Sequence, residues 1–563
     1  MIGLVAATAN GRRNAAHLAG IWSDARPYED GPKESLGRAW TECDGIVVFL
    51  AVGAAVRLVT PLLADKRGDP GVVCVDDAGR FAVALTGGHR KAGGANALAR
   101  RVADALGAEP VVTTASEAVN VPALDSLGAD LGFVVEEGPD MAAVGAAVVS
   151  GERVNLSSDR RWPLRPLPEN VVRAEELETP LILVSDRTGD APRPSVVYRP
   201  PSLVAGVGCS RGAGCGEILA LIRASLDDAG LSEKSVAALT SVDAKADETG
   251  LLEAARVLGL PVRFHTAAVL AQTEVPNPSK VVEQAVGTPS VAEAAVIAEG
   301  AELVVEKRKS AMATAAIGRL PVRGMLFLVG LGPGDEALIP PLARDALARS
   351  ELVVGLDQYV DRIRHLLRPG TRVSTPPLGE EVERARFALD EARSGGSVAL
   401  VSSGDAGVYA MASPALEMAG DDVDVVPVPG ITASQAAASL LGSPLGHDHA
   451  SISLSDLLTP WAAIEARLEA SAAGDFVISL YNPRSKGRGW QLGKAREILL
   501  RHRAPETPVG VVREAYRPAQ SVRLTDLGSL DPRDVDMLTT VIVGSSRTVV
   551  RAGRMFTPRG YDV

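Results

Sequence analysis

Short aliphatic runs alternate with helical stretches over the first hundred or so residues. IGLVAATA, GIVVFLAVG, GVVCVDDAG and FAVALTGG each have the length of a buried strand, and the last run leads into ANALARRVADALGA. Strands separated by helices are typical of a parallel sheet covered on both faces. The pattern therefore predicts an α/β domain over residues 1–120.

The pattern is weaker between about Ser150 and Pro201. Prolines punctuate this stretch at Pro163, Pro166, Pro168, Pro180, Pro192, Pro194, Pro200 and Pro201. Proline removes a backbone donor and fixes φ, so such a density indicates loops. We interpret residues 121–201 as a middle region and linker. A second α/β domain then opens at LVAGVGCSRGAGCGEILALIRASLDDAG and covers residues 202–320.

A junction comes next in RLPVRGMLFLVGLGPGD, where Met325 stands directly before a strand, as an initiator methionine would. The remaining residues again alternate strand and helix, with PVPGITASQAAASLLG near the middle and GDFVISLYNP as a later buried strand. We predict a fusion point here, followed by two α/β lobes over 325–435 and 436–563. The fold class is α/β throughout, with several domains.

Composition narrows the class of partner. A chain of 563 residues is too long for a single hydrophobic core. Hydrophobic residues make up 46% of it and charged residues 23%, as in an ordinary globular protein. The net charge of -11 argues against nucleic acid, since affinity for phosphate backbones needs a basic surface. A small-molecule substrate is favoured, and one with several carboxylates requires a local basic pocket.

Cysteine usage and hydropathy indicate the compartment. Cys43, Cys74, Cys209 and Cys215 form no CxxC pair, which fits a reducing environment and gives no metal site. The opening MIGLVAATANGRR carries its charges after the apolar stretch, unlike a signal peptide, and no apolar run approaches the ~18 residues of a spanning helix. We expect a cytoplasmic protein with no membrane partner.

A glycine-rich loop, Gly330-Leu331-Gly332-Pro333-Gly334-Asp335, comes after the strand MLFLV. Glycines let backbone turn tightly and approach a ligand closely. A dinucleotide-binding GxGxxG would need glycine where Asp335 stands, and no GxxxxGK[ST] occurs, so an NAD-dependent oxidoreductase is a disfavoured alternative. The loop alone does not identify its ligand.

Motifs downstream of the loop make it more informative. SGDAGVY, VPGITAS and YNP come after it in order, together with HDHASISLSDLLTPW and SLYNPRSKGRGWQL. This set resembles the tetrapyrrole (class III) S-adenosylmethionine methyltransferases, and within them the precorrin-3B and cobalt-factor III C(17)-methyltransferases. The resemblance covers residues 325–563. It implies two lobes with S-adenosylmethionine in the cleft between them, methylation of a corrinoid precursor with ring contraction, and a homodimer formed through this part.

The resemblance also implies site residues. Methyl transfer from a sulfonium mainly needs aligned reactants and excluded water, so small residues and backbone groups carry the binding. Asp405 is in addition a candidate catalytic residue, and Asp456 a candidate substrate-binding one. The implied cofactor contacts are Pro333, Ser403, Gly404, Asp405, Val408, Thr432, Ala433, Tyr481, Ala515, and Thr539 or Thr540. Many family members carry glycine near the position of Ala515.

The upstream half resembles a different enzyme. LTGGHRKAGGANALARRVADALGAEPVVTTASE is similar to the N-terminal domain of cobalt-precorrin-5A hydrolase, with a slightly longer loop, and VAGVGCSRGAGCGEI with SVDAKADETGLLEAARVLGLPV to its C-terminal domain. The resemblance implies hydrolytic opening of a δ-lactone. His89 in its glycine-flanked loop is the candidate base, and Arg90 and Lys91 are candidate carboxylate-binding residues.

For several further polar residues the sequence permits either a structural or a binding role. Lys245, with Asp247 and Glu248, is a solvated charge cluster on composition and a substrate-binding candidate through the resemblance. His447 and His449 are spaced to face one side, yet a structural role is favoured over a metal, and we predict no metal site. The leading hypothesis is a bifunctional enzyme. The alternative keeps the methyltransferase and makes the upstream half a non-catalytic corrinoid-binding module.

Overall fold

Contact density divides the chain into two units in a computed structural model that describes residues 1–64, 68–87, 94–114, 119, 121–136, 140–485, 487 and 489–561. The first unit comprises Met1–Arg160, Arg165–Val322 and Arg368–Gly370. The second comprises Arg161–Leu164, Arg323–Leu367 and Thr371–Val563.

A six-stranded sheet opens the first unit, with the strand order β2-β1-β3-β4-β5-β6. Alternate residues of β3 enter separate hydrophobic clusters, Val47 in one and Val48 in the other, so helices cover both faces as predicted. The strands are β1 Ile2–Ala6, β2 Ala25–Tyr28, β3 Gly45–Phe49, β4 Gly71–Val75, β5 Phe81–Thr86 and β6 Glu109–Val111, and the helices Ala9–Ile21, Pro32–Glu42, Val52–Val59 and Gly94–Leu106.

The sheet is mixed, where the sequence pattern indicated a parallel one. β5 runs antiparallel to β4. Only residues 76–80 connect the two strands, and Gly79 turns there with φ 68°. A parallel connection needs a crossover of a dozen or more residues, so a link this short permits only a hairpin.

The stretch interpreted as middle region and linker contains a five-stranded sheet of its own, in the order β7-β11-β10-β8-β9. Pro180 and Pro194 stand immediately before strands, where the missing N–H breaks no ladder. The strands are β7 Val134–Val135, β8 Val154–Ser158, β9 Val171–Arg173, β10 Leu181–Val184 and β11 Ser195–Arg199, with the helix Met141–Ser150. The other prolines between β8 and β11 lie in the connections between strands, so none of them interrupts a strand.

A third sheet of the first unit has the order β14-β13-β12-β16-β15. At Gly206, in β12, a Cβ would stand 2.0 Å from the carbonyl oxygen of Ala292, so only glycine admits the helix that packs there. The strands are β12 Leu203–Cys209, β13 Val236–Val242, β14 Val262–His265, β15 Glu302–Lys309 and β16 Ala313–Arg319, and the helices Cys215–Asp227, Thr249–Leu258, Ala267–Ala271, Lys280–Val286 and Ala292–Ala298.

The second unit begins with a parallel sheet in the order β19-β18-β20-β17-β21, which we call the first lobe. Along β17, Leu326 and Leu328 enter one hydrophobic cluster while Phe327 and Val329 enter another, so this sheet too is buried on both faces. The strands are β17 Gly324–Gly330, β18 Leu352–Val354, β19 Arg372–Ser374, β20 Ser397–Ser402 and β21 Val423–Val428, and the helices Pro341–Arg349, Asp357–Val360, Glu381–Arg393 and Ala412–Met418.

The second lobe contains a five-stranded sheet in the order β23-β24-β27-β25-β26 and a small sheet in the order β22-β29-β28. The larger sheet is parallel at β23–β24 and antiparallel elsewhere. The strands are β22 Gly442–Ser443, β23 His449–Ser453, β24 Val477–Tyr481, β25 Pro508–Arg513, β26 Ser521–Asp526, β27 Thr539–Val543, β28 Val549–Arg551 and β29 Arg554–Phe556, and the helices Ala433–Leu441, Trp461–Ala473 and Gln491–Leu499.

Four residues far upstream of Met325 belong to the second unit. Arg161 pairs with Glu351 and, at 2.9 Å, with Glu391, while the carbonyl of Leu164 accepts a hydrogen bond of 3.0 Å from the Ser397 hydroxyl. The segment Arg161–Leu164 is therefore held to the first lobe by charge-assisted hydrogen bonds. The predicted fusion point does not separate the two units completely.

Candidate active site

Three loops meet at one edge of the first-lobe sheet. They come after β17, β20 and β21, which are neighbouring parallel strands, so their carboxyl ends lie at the same edge. Open α/β sheets bind ligands at that edge. The loops contain the three motifs found in the sequence, GLGPGD, SGDAGVY and VPGITAS.

A glycine cluster, Gly330, Gly404 and Gly430, brings the three loops into backbone contact. A Cβ on Gly430 would stand 2.1 Å from the Gly404 carbonyl oxygen, and one on Gly330 would stand 2.7 Å from the Gly430 nitrogen. Gly404 also exchanges hydrogen bonds of 3.0 and 2.8 Å with Gly332. Gly330 and Gly430 admit no side chain, and Gly404 has a φ of 71°, which residues with a side chain rarely adopt, so backbone forms the surface where the loops meet.

Asp405 joins two of the loops through its carboxylate. One oxygen accepts from the Gly407 amide at 2.8 Å and the other from the Gly430 amide at 2.9 Å. A carboxylate that accepts two backbone N–H groups fixes both segments, because losing either bond strands a polar group. This geometry favours a positioning role for Asp405 over the catalytic one considered from the sequence.

Tyr481 connects the second lobe to the third loop. Its hydroxyl accepts a hydrogen bond of 2.9 Å from the Ser434 amide and shares one of 2.7 Å with the Thr432 hydroxyl. Thr432 is the N-cap of the helix Ala433–Leu441, yet its side chain makes no capping bond. Tyr481 thus provides the acceptor for a backbone N–H of the first helical turn that has no partner within the helix. The N-cap side chain usually provides this acceptor.

Tyr409 reaches the second lobe from the opposite direction. It adopts φ 55°, an uncommon conformation for an aromatic residue, and its hydroxyl donates to the Ser451 carbonyl at 2.9 Å. Its ring centroid lies 5.1 Å from that of Tyr481. Burial raises the pKa of the Tyr409 hydroxyl. Val408, which precedes it, is half-buried and donates its amide to the Asp405 carbonyl at 3.3 Å.

Ala515 and Thr540 lie deeper in the second lobe. Ala515 packs against a hydrophobic cluster that includes Ala437 and Val512, and Thr540 is buried on β27, opposite Val512. Ala433 stands at the start of its helix, with its amide 3.8 Å from the place of a Cβ on Gly404. The backbone of Ala433 therefore lies beside the glycine cluster.

Arg517 belongs to this site and was missed from the sequence. It comes after β25 in the second lobe, donating from Nε to the Pro333 carbonyl at 2.7 Å and from Nη2 to the Ser403 hydroxyl at 2.8 Å. No local pattern identifies it, because its partners lie 184 and 114 residues away in sequence. The structure thereby brings Pro333 and Ser403 together at one side chain.

Other expected residues lie apart or outside the described structure. Asp456 accepts a hydrogen bond of 3.0 Å from the Gln491 amide nitrogen, and within the described ranges no hydrogen bond connects it to the three loops. The positions of His89, Arg90 and Lys91 fall outside the residues that the structure describes. Their assignment stays a prediction.

A cavity of about 460 Å³ in the first unit is lined in part by Arg211, Asp247 and Glu248, and the last of these is the partner of Lys245. The Lys245 ammonium pairs with Glu248 at 3.2 Å. Glu248 is buried and accepts from the Gly212 amide at 3.1 Å; this hydrogen bond, together with the Lys245 charge, lowers the Glu248 pKa despite burial. The pair ties the glycine-rich turn to a helix start.

The described part of the chain contains neither a cluster of metal-binding side chains nor a membrane-spanning helix. Within it, no group of three or more His, Cys, Asp or Glu side chains is arranged to hold a metal ion. His447 and His449 are both exposed. Among the helices that the structure describes, none has the length and apolarity needed to cross a membrane.

Family models match four consecutive stretches of the chain. Residues 325–531 match Tetrapyrrole (Corrin/Porphyrin) Methylases. Upstream, residues 34–117 match the N-terminal model of cobalamin synthesis G, residues 122–200 the cobalamin biosynthesis central region, and residues 203–318 the C-terminal model of cobalamin synthesis G.

Relatives and solved structures match the methylase part. A probable cobalt-factor III C(17)-methyltransferase of Salmonella typhimurium is 47% identical over 245 residues, which is 42% of this chain and 100% of that relative. A cobalt-factor III methyltransferase of Priestia megaterium is 44% identical over 43% of this chain, which spans about half (46%) of that relative. The crystal structure of the methyltransferase CobJ is 40% identical over 42% of this chain and 100% of that one, with a TM-score of 0.40.

Proposed function

Because this chain belongs to the tetrapyrrole (corrin/porphyrin) methylase family, we propose that it methylates precorrin-3B or cobalt-factor III at C(17), with ring contraction, in cobalamin biosynthesis. The cofactor is S-adenosylmethionine. The observation that carries the proposal is the meeting of three loops at the glycine cluster, inside the region that is 47% identical to the Salmonella relative.

The residues present fit that cofactor. A Cβ at Gly430 or Gly330 would collide with backbone, so a ligand above the glycine cluster meets peptide groups directly. Backbone amides and carbonyls suit a molecule that carries both an amino-acid end and a nucleoside end. When bound, S-adenosylmethionine supplies an electrophilic methyl group on a sulfonium sulfur.

The protein's own part is to hold two reactants in line and to keep water away. Asp405 fixes the second and third loops against each other, and Tyr481 fixes the start of the helix Ala433–Leu441. Tyr409 places an aromatic ring between the lobes, next to Tyr481. Residues held in this way lose little entropy when the ligand binds, which favours an aligned complex.

For the upstream half the proposal is hydrolytic opening of the δ-lactone of a precorrin-5A-type intermediate. Support comes from the cobalamin synthesis G matches over 34–117, 122–200 and 203–318. His89 stays the proposed base, with Arg90 and Lys91 receiving substrate carboxylates, while Lys245 has a structural partner in Glu248. The second candidate for this half is a non-catalytic corrinoid-binding module.

Compartment, assembly and domain division complete the proposal. Four free cysteines suit the reducing cytoplasm. We also propose a homodimer formed through the methylase part, no nucleic-acid partner, and domains at 1–120, 121–201, 202–320, 325–435 and 436–563. Cross-linking of the purified chain tests the dimer.

The deciding experiment incubates the full chain with S-adenosylmethionine and either precorrin-3B or cobalt-factor III, and then measures the product mass. One added methyl group at C(17) is expected, and no gain of mass with either macrocycle contradicts the methylase proposal. A second incubation supplies the lactone intermediate to the wild type and to His89→Ala. Opening by the wild type but not the variant supports the hydrolase, whereas no opening by either favours the binding module.

A further inference from the structure

Arg517 lies against the cofactor loops, although it belongs to the other lobe. Its guanidinium donates to a backbone carbonyl and a hydroxyl of two different first-lobe loops, at Pro333 and Ser403. Gly334 makes this approach possible, since a Cβ there would stand 2.5 Å from Cγ of Arg517. The flanking turn holds Glu514 and Tyr516 at φ 48° and 56°, conformations that non-glycine residues rarely adopt.

The charge of Arg517 is not neutralised by these contacts. Both of its hydrogen-bond partners are uncharged oxygens, and within the described residues no carboxylate forms an ion pair with it. Burial and the charge of Arg362 lower the Arg517 pKa by more than Tyr359 and Glu514 raise it. A partly buried cation without an ion-pair partner is costly unless an anion binds it.

The guanidinium also has unused donors. Of its five N–H groups, the two hydrogen bonds to Pro333 and Ser403 occupy two, which leaves three. A guanidinium held at a fixed orientation by two bonds is prepared for a planar anion, because a carboxylate matches its fork. A carboxylate is the anionic group common to the proposed cofactor and to the acetate and propionate arms of a corrinoid macrocycle.

We propose that Arg517 binds a carboxylate of a ligand in the methyltransferase site, an inference that rests on the proposed methylase function. The two sources of that carboxylate are the amino-acid end of S-adenosylmethionine and a side arm of the macrocycle. In both cases Arg517 contacts the ligand from the second lobe while holding the cofactor loops of the first.

The test compares full-length wild type, Arg517→Gln and Arg517→Lys with Arg523→Gln, a control on the adjacent strand whose partner is the exposed Asp534. Calorimetry gives the dissociation constants of S-adenosylmethionine and of decarboxylated S-adenosylmethionine. Steady-state assays at saturating cofactor give KM for precorrin-3B and cobalt-factor III. Thermal melting shows that each variant is folded.

The two sources give different results. If the cofactor supplies the carboxylate, Arg517→Gln raises the dissociation constant of S-adenosylmethionine at least tenfold. The dissociation constant of the decarboxylated analogue stays unchanged. If the macrocycle supplies it, cofactor binding is unchanged and KM rises at least tenfold. The Arg517→Lys variant is expected to give values between those of the wild type and Arg517→Gln. It keeps the positive charge but loses the planar pair of N–H donors that matches a carboxylate.

Two results overturn the inference. Unchanged cofactor affinity together with unchanged KM in a folded Arg517→Gln variant shows that no ligand carboxylate is bound there. Equal weakening of S-adenosylmethionine and its decarboxylated analogue, without a rise in KM, shows that Arg517 only supports the loops. A wild type that binds no S-adenosylmethionine instead refutes the methylase proposal itself, so the two failures are distinguishable.

Discussion

Tyr481 stabilises a helix that begins in another part of the sequence. Its hydroxyl accepts from the buried Ser434 amide, so the helix Ala433–Leu441 depends on a side chain 47 residues downstream of Ser434. A buried N–H without a partner costs about 1–3 kcal/mol. The hydroxyl of this tyrosine therefore links second-lobe packing to the geometry of the cofactor loop.

Replacing Tyr481 with Phe is expected to lower the free energy of unfolding by about 1–3 kcal/mol, because the Ser434 amide loses its acceptor. Cofactor affinity is expected to fall as well, since Thr432 loses the same partner. Calorimetric melting and titration measure both effects. Tyr516→Phe is the matched control, because its hydroxyl bonds the exposed Ser439. Equal effects in the two variants would contradict the assignment.

Ala433 is the residue whose enlargement tests the position of the cleft. It starts its helix with its backbone amide beside Gly404, so we expect a leucine there to occupy space next to the glycine cluster. We expect the dissociation constant of S-adenosylmethionine to rise at least ~10-fold, or about 1.4 kcal/mol, with stability nearly unchanged. Gln435→Leu, exposed on the same helix, is the control. Normal binding in a folded Ala433→Leu variant would place the cleft elsewhere.

Site residues that belong to a contiguous motif could be predicted from the sequence. A site residue that lies far along the chain from its partners could not. Ser403, Gly404 and Asp405 stand in a contiguous motif, and the structure places that motif at the carboxyl edge of β20. Arg517 reaches its partners through a long side chain and the absence of a Cβ at Gly334. Such a contact exists only after both lobes have folded, so no spacing in the chain predicts it.

At the scale of elements, the α/β class is confirmed, and the departures have short-range causes. β4 and β5 form a hairpin because residues 76–80 are too few for a crossover. The proline-rich stretch can form a sheet because its prolines border strands or lie in the loops between them, so none interrupts a strand. The sequence pattern predicted neither the β4–β5 hairpin nor the sheet in the proline-rich stretch. Both features depend on which neighbour each strand pairs with.

The segment Arg161–Leu164 is an element of the second unit whose contribution depends on pH. Burial raises the Glu391 pKa, but hydrogen bonds from Arg372 and Arg161 outweigh it, so that pKa lies below its ordinary value of 4.5. A carboxyl with a depressed folded pKa adds stability that is present above the unfolded pKa. That stability is lost as the pH falls through the folded value.

Arg161→Ala is therefore expected to destabilise the second unit by about 1–3 kcal/mol at pH 7, because its partners Glu351 and Glu391 are mostly buried. The difference from wild type should shrink as the pH falls from 4.5 through the lower folded pKa of Glu391, where the folded carboxyl becomes protonated. Calorimetric scans at pH 7 and at several values below pH 4.5 measure it. Arg364→Ala removes an exposed pair with Asp361 and should change little. A pH-independent difference would refute the ion-pair explanation.

At the scale of the whole molecule, the second unit is nearly but not fully contained in residues 325–563. A fragment of these residues is expected to fold and to bind S-adenosylmethionine, since all three cofactor loops lie within it. It should unfold at lower denaturant concentration than the second unit of the intact chain, because Arg161–Leu164 and Gly324 are missing. Urea denaturation and titration check both statements. A fragment that folds but shows no cofactor binding would contradict the proposed site.

The glycine cluster has a consequence for evolution and engineering. An added Cβ at Gly330 or Gly430 would collide with the backbone of a neighbouring loop, and a side chain at Gly404 would have to adopt a φ of 71°, so a substitution at any of the three disturbs the loops. Adaptation to a bulkier alkyl donor cannot proceed through single replacements on this side of the cleft. It has to come from the second lobe, where Tyr481 and Arg517 contact the loops through side chains instead of backbone. Variation among methylases of this kind should accumulate on one lobe, while the other keeps its backbone.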